Sequence, residues 1–278
     1  MPARFAASPE FHRLLAGEPR PCLLRIALEI ARDAYPELDP GPYLDAVDAL
    51  AERVRQRCGP GARPRAVLGQ INWALFVEEG YEGNRDNYFD PRNSYLNEVI
   101  DRKRGIPISL SVLYQAVGER LGLALQGVNL PAHFMLRLDE PGSPVFIDAF
   151  HSGELLDPRG CRRRIADLSR NPVTLSDEQL ASCPARVVVA RMLRNLKAIY
   201  LGTSDFVSAL PVQRRLAALE QDDPDEQRDL GMVCLQAECV GEAIDPLAAY
   251  LAAKPDADDA PQVGALLAAA RRTVAEWN

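Results

Sequence analysis

The sequence predicts an α+β fold, and three observations carry that expectation. Apolar residues recur at helical spacing through the first eighty positions, a longer helical segment follows around residue 110, and the period then drops to two over residues 126–148. From about residue 187 onward the spacing is helical again, which places an all-α region behind a mixed core with a small antiparallel sheet.

Leu23, Ile26, Ala27 and Ile30 define a first helical face, Tyr43, Val47, Leu50, Ala51 and Val54 a second, and Val67, Ile71, Leu75 and Phe76 a third. Pro/Gly clusters at Tyr35–Pro42 and Cys58–Gly61 separate them. The polar stretch Glu82–Pro91 ends with Asp90 where an N-cap would sit and Pro91 at a first helical position. A helix starting there would turn Leu96, Val99 and Ile100 inward and stop at Arg104-Gly105, because glycine suits the C-terminal cap. Leu110, Leu113, Tyr114, Val117 and Leu121 then predict a strongly amphipathic helix closed by Gly122. Three strands follow, Gln126–Leu130, His133–Leu138 and Pro144–Asp148, joined by Pro131-Ala132 and by Asp139–Ser143.

The helical tail repeats weakly at an offset of 34 residues. Leu196 corresponds to Leu230, Tyr200 to Cys234, Ala209 to Ala243, Leu210 to Ile244 and Leu216 to Tyr250. That is the tetratricopeptide period, although the pattern's tryptophan is missing, and a last helix over Val263–Trp277 would act as a cap. The expected division is 1–185 for the mixed domain with its N-terminal helices and 186–278 for the repeats.

At 278 residues, 47% hydrophobic and 26% charged, the chain has enough apolar material for a substantial core. No apolar run approaches the ~18 residues that cross a bilayer, so no membrane association is expected. The N-terminus lacks the h-region of a secretory signal, which points to a cytoplasmic protein. The net charge of −7 is concentrated at the end: residues 220–278 hold 13 acidic and 4 basic side chains, net −9. The basic clusters Arg102-Lys103-Arg104 and Arg162-Arg163-Arg164 are not interleaved with aromatics, so they read as solvated surface and no nucleic-acid partner is expected. Six cysteines stand without a CxxC pair, and His12, His133 and His151 are far from ligand spacing in the chain. Neither a metal nor another cofactor is therefore expected.

Chemistry can live where Ile106-Pro107-Ile108-Ser109 opens a helix, since unpaired backbone N–H groups and the dipole favour a nucleophile there. His133 begins one strand and Asp148 ends the next, so antiparallel pairing would bring them together. A nucleophile on a helix with a base and an orienting acid on adjacent strands is the logic of a triad. The plainer reading makes Ser109 a first-turn hydrogen-bonding residue, His133 a buried histidine satisfied by Asp148, and Asn93 and Ser94 helix-entry groups. His151 and Cys161 lie near enough in sequence to flank a cleft.

The runs Asp90-Pro91-Arg92-Asn93-Ser94-Tyr95-Leu96, Arg104-Gly105-Ile106-Pro107-Ile108-Ser109-Leu110-Ser111, Gly127-Val128-Asn129-Leu130-Pro131-Ala132-His133-Phe134 and Ile147-Asp148 together resemble the bacterial SirB-type family. Its members join a papain-like transglutaminase domain to tetratricopeptide repeats. The resemblance implies His133 as base and Asp148 as orienting acid. It implies a cysteine nucleophile that this chain lacks, because no cysteine lies between Cys58 and Cys161 and Pro107, Ile108 and Ser109 occupy the region. Ala132 also departs from the glycine expected before His-Phe.

A helix terminus and a histidine activate a thiol far more readily than a hydroxyl, which must lose its proton to a base during attack. The sequence therefore favours a non-catalytic protein- or peptide-binding or regulatory protein. The alternative is an amide or ester hydrolase, or an acyltransferase, with a Ser109-His133-Asp148 triad.

Overall fold

The computed structural model describes residues 8–168 and 175–276. The chain forms two compact units, Met1–Met192 and Leu193–Asn278, divided within the helix Ala185–Gly202.

The first unit begins with helices α1 (Pro9–Leu15), α2 (Leu23–Ala31), α3 (Gly41–Arg57) and α4 (Pro64–Asn72), the last running on into a π-helical turn over Trp73–Glu78. α1 has no side-chain cap of its own. The buried Glu29 of α2 accepts hydrogen bonds from the N–H groups of Glu10 and Phe11, satisfying donors that the short helix leaves open.

Asp90 caps a helical start as its sequence position predicts, accepting from the N–H of Arg92, but the helix does not run through. A 3-10 turn over Pro91–Asn93 gives way to an extended Tyr95, and α5 covers only Leu96–Arg102. Asn93 explains the interruption. Its buried side chain bonds the carbonyls of Asn87 and Tyr88 and accepts from Asn84, which ties this turn to the preceding loop. α5 also ends earlier than glycine placement suggests, since Lys103 takes the left-handed cap at φ 61°. Arg104–Gly105 instead forms β2, paired in parallel with β1 (Glu82–Gly83).

α6 (Pro107–Arg120) corrects the expectation of an amphipathic helix. It is buried on nearly every side, with Ser109, Ser111 and Gly118 as inaccessible as Leu110, Leu113 and Tyr114. Such a helix is the centre of a core and not its lid. Tyr114 donates to Asn72 Oδ1 at 2.8 Å, joining α6 to α4.

The antiparallel sheet has the order β3 (Gln126–Leu130), β4 (His133–Leu138), β5 (Val145–Asp148) and β6 (Glu154–Leu156). The first three strands match the period-two segments. β6 is too short to show a period of its own, and α7 (Pro158–Leu168) follows it. Leu130 pairs with His133, so Pro131-Ala132 is a two-residue turn. Ala132 sits at φ 55°, which explains why a glycine belongs there.

α8 (Ala185–Gly202), within which the second unit begins, leads to α9 (Phe206–Leu219), α10 (Pro224–Gln236), α11 (Val240–Ala253) and α12 (Ala260–Glu276). Asp205 and Asp223 cap α9 and α10 through their side chains. The offset-34 pairs are structural: Leu196 and Leu230, Tyr200 and Cys234, Ala209 and Ala243, Leu216 and Tyr250 are all buried. Ile244, the counterpart of buried Leu210, is only half-buried. Trp277 lies outside the described residues, so the expected cap helix ends in view at Glu276.

Replacing Ala132 with glycine relieves a left-handed alanine at the cost of unfolded-chain entropy, and a net gain of about 0.5–1 kcal/mol is expected. Thermal unfolding of A132G should then occur a few degrees above the parent, and an unchanged or lower midpoint would show that the turn carries no strain.

Candidate functional site

Strand alternation sets which side chains share a face. The β4–β5 register pairs Leu136 with Ile147 and, continued by one residue, sets Asp148 across from Met135, so His133, two residues earlier on β4, falls on the same face. That face carries Val128, Met135, Phe146 and, from α7, Cys161 and Ile165. His133 Nε2 lies 3.0 Å from Asp148 Oδ1, and both residues are buried, at 3% and 0% exposure. The sequence-derived pairing is present.

Two further groups converge on the same carboxylate. His151, at the end of a 3-10 turn that leaves β5, brings Nδ1 to 2.8 Å from Asp148 Oδ2. Arg164 of α7 donates to that oxygen from Nη1 at 2.5 Å and also pairs with Glu154 on β6. The turn that presents His151 is tightly specified: Ser152 and Gly153 both have positive φ, and a Cβ on Gly153 would collide with Asn72. Asn72 in turn donates to the Gly153 carbonyl at 2.7 Å.

Burial works against ionisation of Asp148. The hydrogen bonds from His133 and His151 outweigh it and hold the carboxyl well below the usual carboxylate range. An ionised carboxylate only accepts, so the imidazole nitrogens facing it carry protons. The histidines, far apart in linear spacing, are thus neighbours, with ring centroids 5.9 Å apart. The basic run 162–164 is likewise not uniform surface. Arg163 is exposed, but Arg162 bonds the Leu175 carbonyl and Arg164 is inside the cluster. Cys161, Arg164 and Ile165 share a helical face at i, i+3 and i+4, the one sequence signal that could have linked Arg164 to the buried face.

Ser109 is placed differently. Fully buried at the third position of α6, its Oγ accepts from the N–H of Ile106 at 3.0 Å and donates to the Asn93 carbonyl at 2.6 Å. These bonds close the helix entry onto the 3-10 turn. Gly105 is required beside it, since a Cβ there would lie 2.8 Å from Ser109 Oγ. The hydroxyl has no hydrogen bond to His133 among the described residues. Ser94, also considered as a helix-entry group, is buried there with no partner for its Oγ among the described residues. Cys161 cannot replace the missing thiol. It is fully buried with Sγ 3.7 Å from the sulfur of Met135, and burial together with nearby Asp148 pushes the thiol up to about 12.

Residues 42–194, which hold the α6 entry and the His133–Asp148 pair, match the transglutaminase-like superfamily. The chain belongs to the transglutaminase-like superfamily. Residues 196–268 match the tetratricopeptide repeat. A UPF0162 protein of Xylella fastidiosa (strain 9a5c) is 36% identical over 245 residues, 87% of each chain. Another, from Vibrio cholerae, is 31% identical over 59% of this chain and 62% of its own. F-box only protein 21 of Mus musculus is 38% identical over 103 residues, 34% of this transglutaminase-like chain and 16% of the mouse protein. Among the described residues no helix is long and apolar enough to cross a membrane.

Removing the His133 imidazole leaves a buried carboxylate short of a partner, so His133→Ala is expected to cost about 3 kcal/mol. Urea denaturation measures it, and a loss below about 1 kcal/mol would mean that His151 and Arg164 suffice. Native Cys161 should resist iodoacetamide at pH 8, well below the pH at which its thiol ionises, and react after unfolding. Peptide mapping that finds it modified as fast as half-buried Cys58 would refute its burial.

Proposed function

We propose that this transglutaminase-like chain is a non-catalytic protein that binds protein or peptide partners, and that it is of the SirB type named by the motif runs at 104–111 and 127–134. The observation that carries this reading is the commitment of Ser109 Oγ to the Asn93 carbonyl and the Ile106 N–H. A hydrolase needs a nucleophile within hydrogen-bond reach of its base. The retained His133–Asp148 pair supports the alternative, a Ser109-His133-Asp148 hydrolase or acyltransferase, but Ser109 would have to abandon both helix-entry bonds to serve it. We place the protein in the cytoplasm and its working boundary between the mixed domain and the repeats near residue 185.

The repeat unit supplies a surface for a partner. A cavity of about 490 Å³ is lined by Leu201, Phe206, Met232, Val233, Val263 and Leu266. Arg228, Asp229 and Asp259 stand at the same cavity and are paired among themselves, Arg228 to Asp229 at 2.9 Å and to Asp259 at 3.1 Å. The apolar lining suits a large side chain from an extended or helical segment, and the net −9 of residues 220–278 suits basic flanks around it.

Two measurements test the reading. A fluorophosphonate probe should leave Ser109 unlabelled, and a covalent adduct there would establish the hydrolase. A fluorescent peptide with one leucine or phenylalanine flanked by lysines should bind the full chain, weaken severalfold from 50 to about 300 mM salt, and bind poorly to Met232→Asp. Binding indifferent to both salt and M232D would remove the acidic repeat surface as the docking site.

A further inference from the structure

We propose that His133, Asp148 and His151 form a binding site for a divalent transition-metal ion of the zinc class. Three donor groups, His133 Nε2, Asp148 and His151 Nδ1, converge so closely that one ligand atom from each lies within 4.8 Å of the others. The imidazole nitrogens stand 3.0 and 2.8 Å from the two carboxylate oxygens. Tetrahedral ligands at roughly 2.0–2.2 Å from one ion lie about 3.4 Å apart, so the imidazoles must draw back from the carboxylate by about half an ångström to accept it.

The donor set selects the ion. Two imidazoles and one carboxylate favour zinc and its neighbours over magnesium or calcium, which prefer oxygen ligands. Access is available on one side. His133 and Asp148 are buried, while the His151 side chain is 21% exposed and lines a cleft of about 350 Å³ with Phe150, Ser152, Asn84 and Asp86. An ion entering there keeps coordination positions open to water. The loop that offers His151 is fixed by the Asn72–Gly153 bond, so the third ligand is held in place before the ion arrives.

Binding changes the protons of both rings. Each nitrogen that faces Asp148 must present a lone pair, so the proton it shares with the carboxylate relocates. A neutral imidazole passes it to the other ring nitrogen by tautomer exchange, with no net release, and a protonated one gives one proton to solvent. Arg164 opposes the ion, because its guanidinium lies 2.5 Å from Asp148 Oδ2 and competes for the same charge. That opposition gives the site a signature that a chance cluster of surface ligands lacks: removing a positive residue should tighten metal binding.

The test is Zn²⁺ titration of the reduced full-length chain, followed by calorimetry and by metal content after gel filtration, for wild type, His151→Ala and Arg164→Met. One Zn²⁺ per chain is expected for wild type, with at least tenfold weaker binding in H151A and tighter binding in R164M. Co²⁺ substitution should give visible ligand-field bands without a thiolate-to-cobalt charge-transfer band. This readout needs no variant and so survives a folding defect in either. Absence of stoichiometric Zn²⁺ in wild type, equal affinity in H151A, or a thiolate band would each overturn the proposal, the last by placing the ion on the cysteines. Catalytic or not, the chain gives the same answer, so failure here leaves the proposed partner-binding role standing.

Discussion

A single buried carboxylate organises the mixed domain. Asp148 closes β5 with no exposure to water, and burying such a charge alone would be prohibitive. It is tolerated because β4 supplies His133, the turn after β5 supplies His151, and α7 supplies Arg164. The elements that build one face of the sheet are thereby tied to one acceptor. Position matters as much as pairing: Met135 lies opposite Asp148 and touches Cys161, so the polar cluster continues directly into the apolar contact between the sheet and α7. Loss of a partner disturbs both.

The start of α6 shows a different use of polar atoms. The space at the helix entry is filled by the Ser109 hydroxyl. Ser109 reaches back to Ile106 and across to Asn93, while Asn93 itself fastens the loop at Asn84, Asn87 and Tyr88. A buried hydroxyl that both donates and accepts stabilises a helix entry. In this domain the His133–Asp148 pair and the Ser109 hydroxyl belong to separate sets of hydrogen bonds, and Ser109 acts as a joint between two turns.

Much of this was legible in the chain. The period of two over 126–148 gives the first three strands, and their register brings His133 and Asp148 together without further information. The glycine expected at Ala132 comes from the family resemblance alone, and the positive φ at that position supplies its physical reason. What escaped depends on tertiary context. His151 reaches Asp148 only because a 3-10 turn and two left-handed residues fold it back, and although Ser152-Gly153 marks a turn, it does not say which way His151 will face. Arg164 looks like one of three solvated arginines until α7 is docked. The helix expected from Asp90 onward fails because Asn93 finds better partners in the preceding loop, and α6 reads as amphipathic because its serines and glycine look solvent-facing while packing in fact encloses them. In the second unit the offset of 34 carries real buried pairs even without the repeat's tryptophan, since packing positions survive where signature residues do not.

The separation of Ser109 from His133 is most directly measured by the imidazole nitrogen resonances of His133 in long-range ¹H–¹⁵N NMR spectra of the wild type and of Ser109→Ala. With His133 bound to Asp148 and Ser109 bound to Asn93, the His133 tautomer should carry its proton on Nε2, and its nitrogen shifts should be the same in both proteins. A marked shift of His133 on removal of the Ser109 hydroxyl would place the two groups in hydrogen-bond contact and restore the triad.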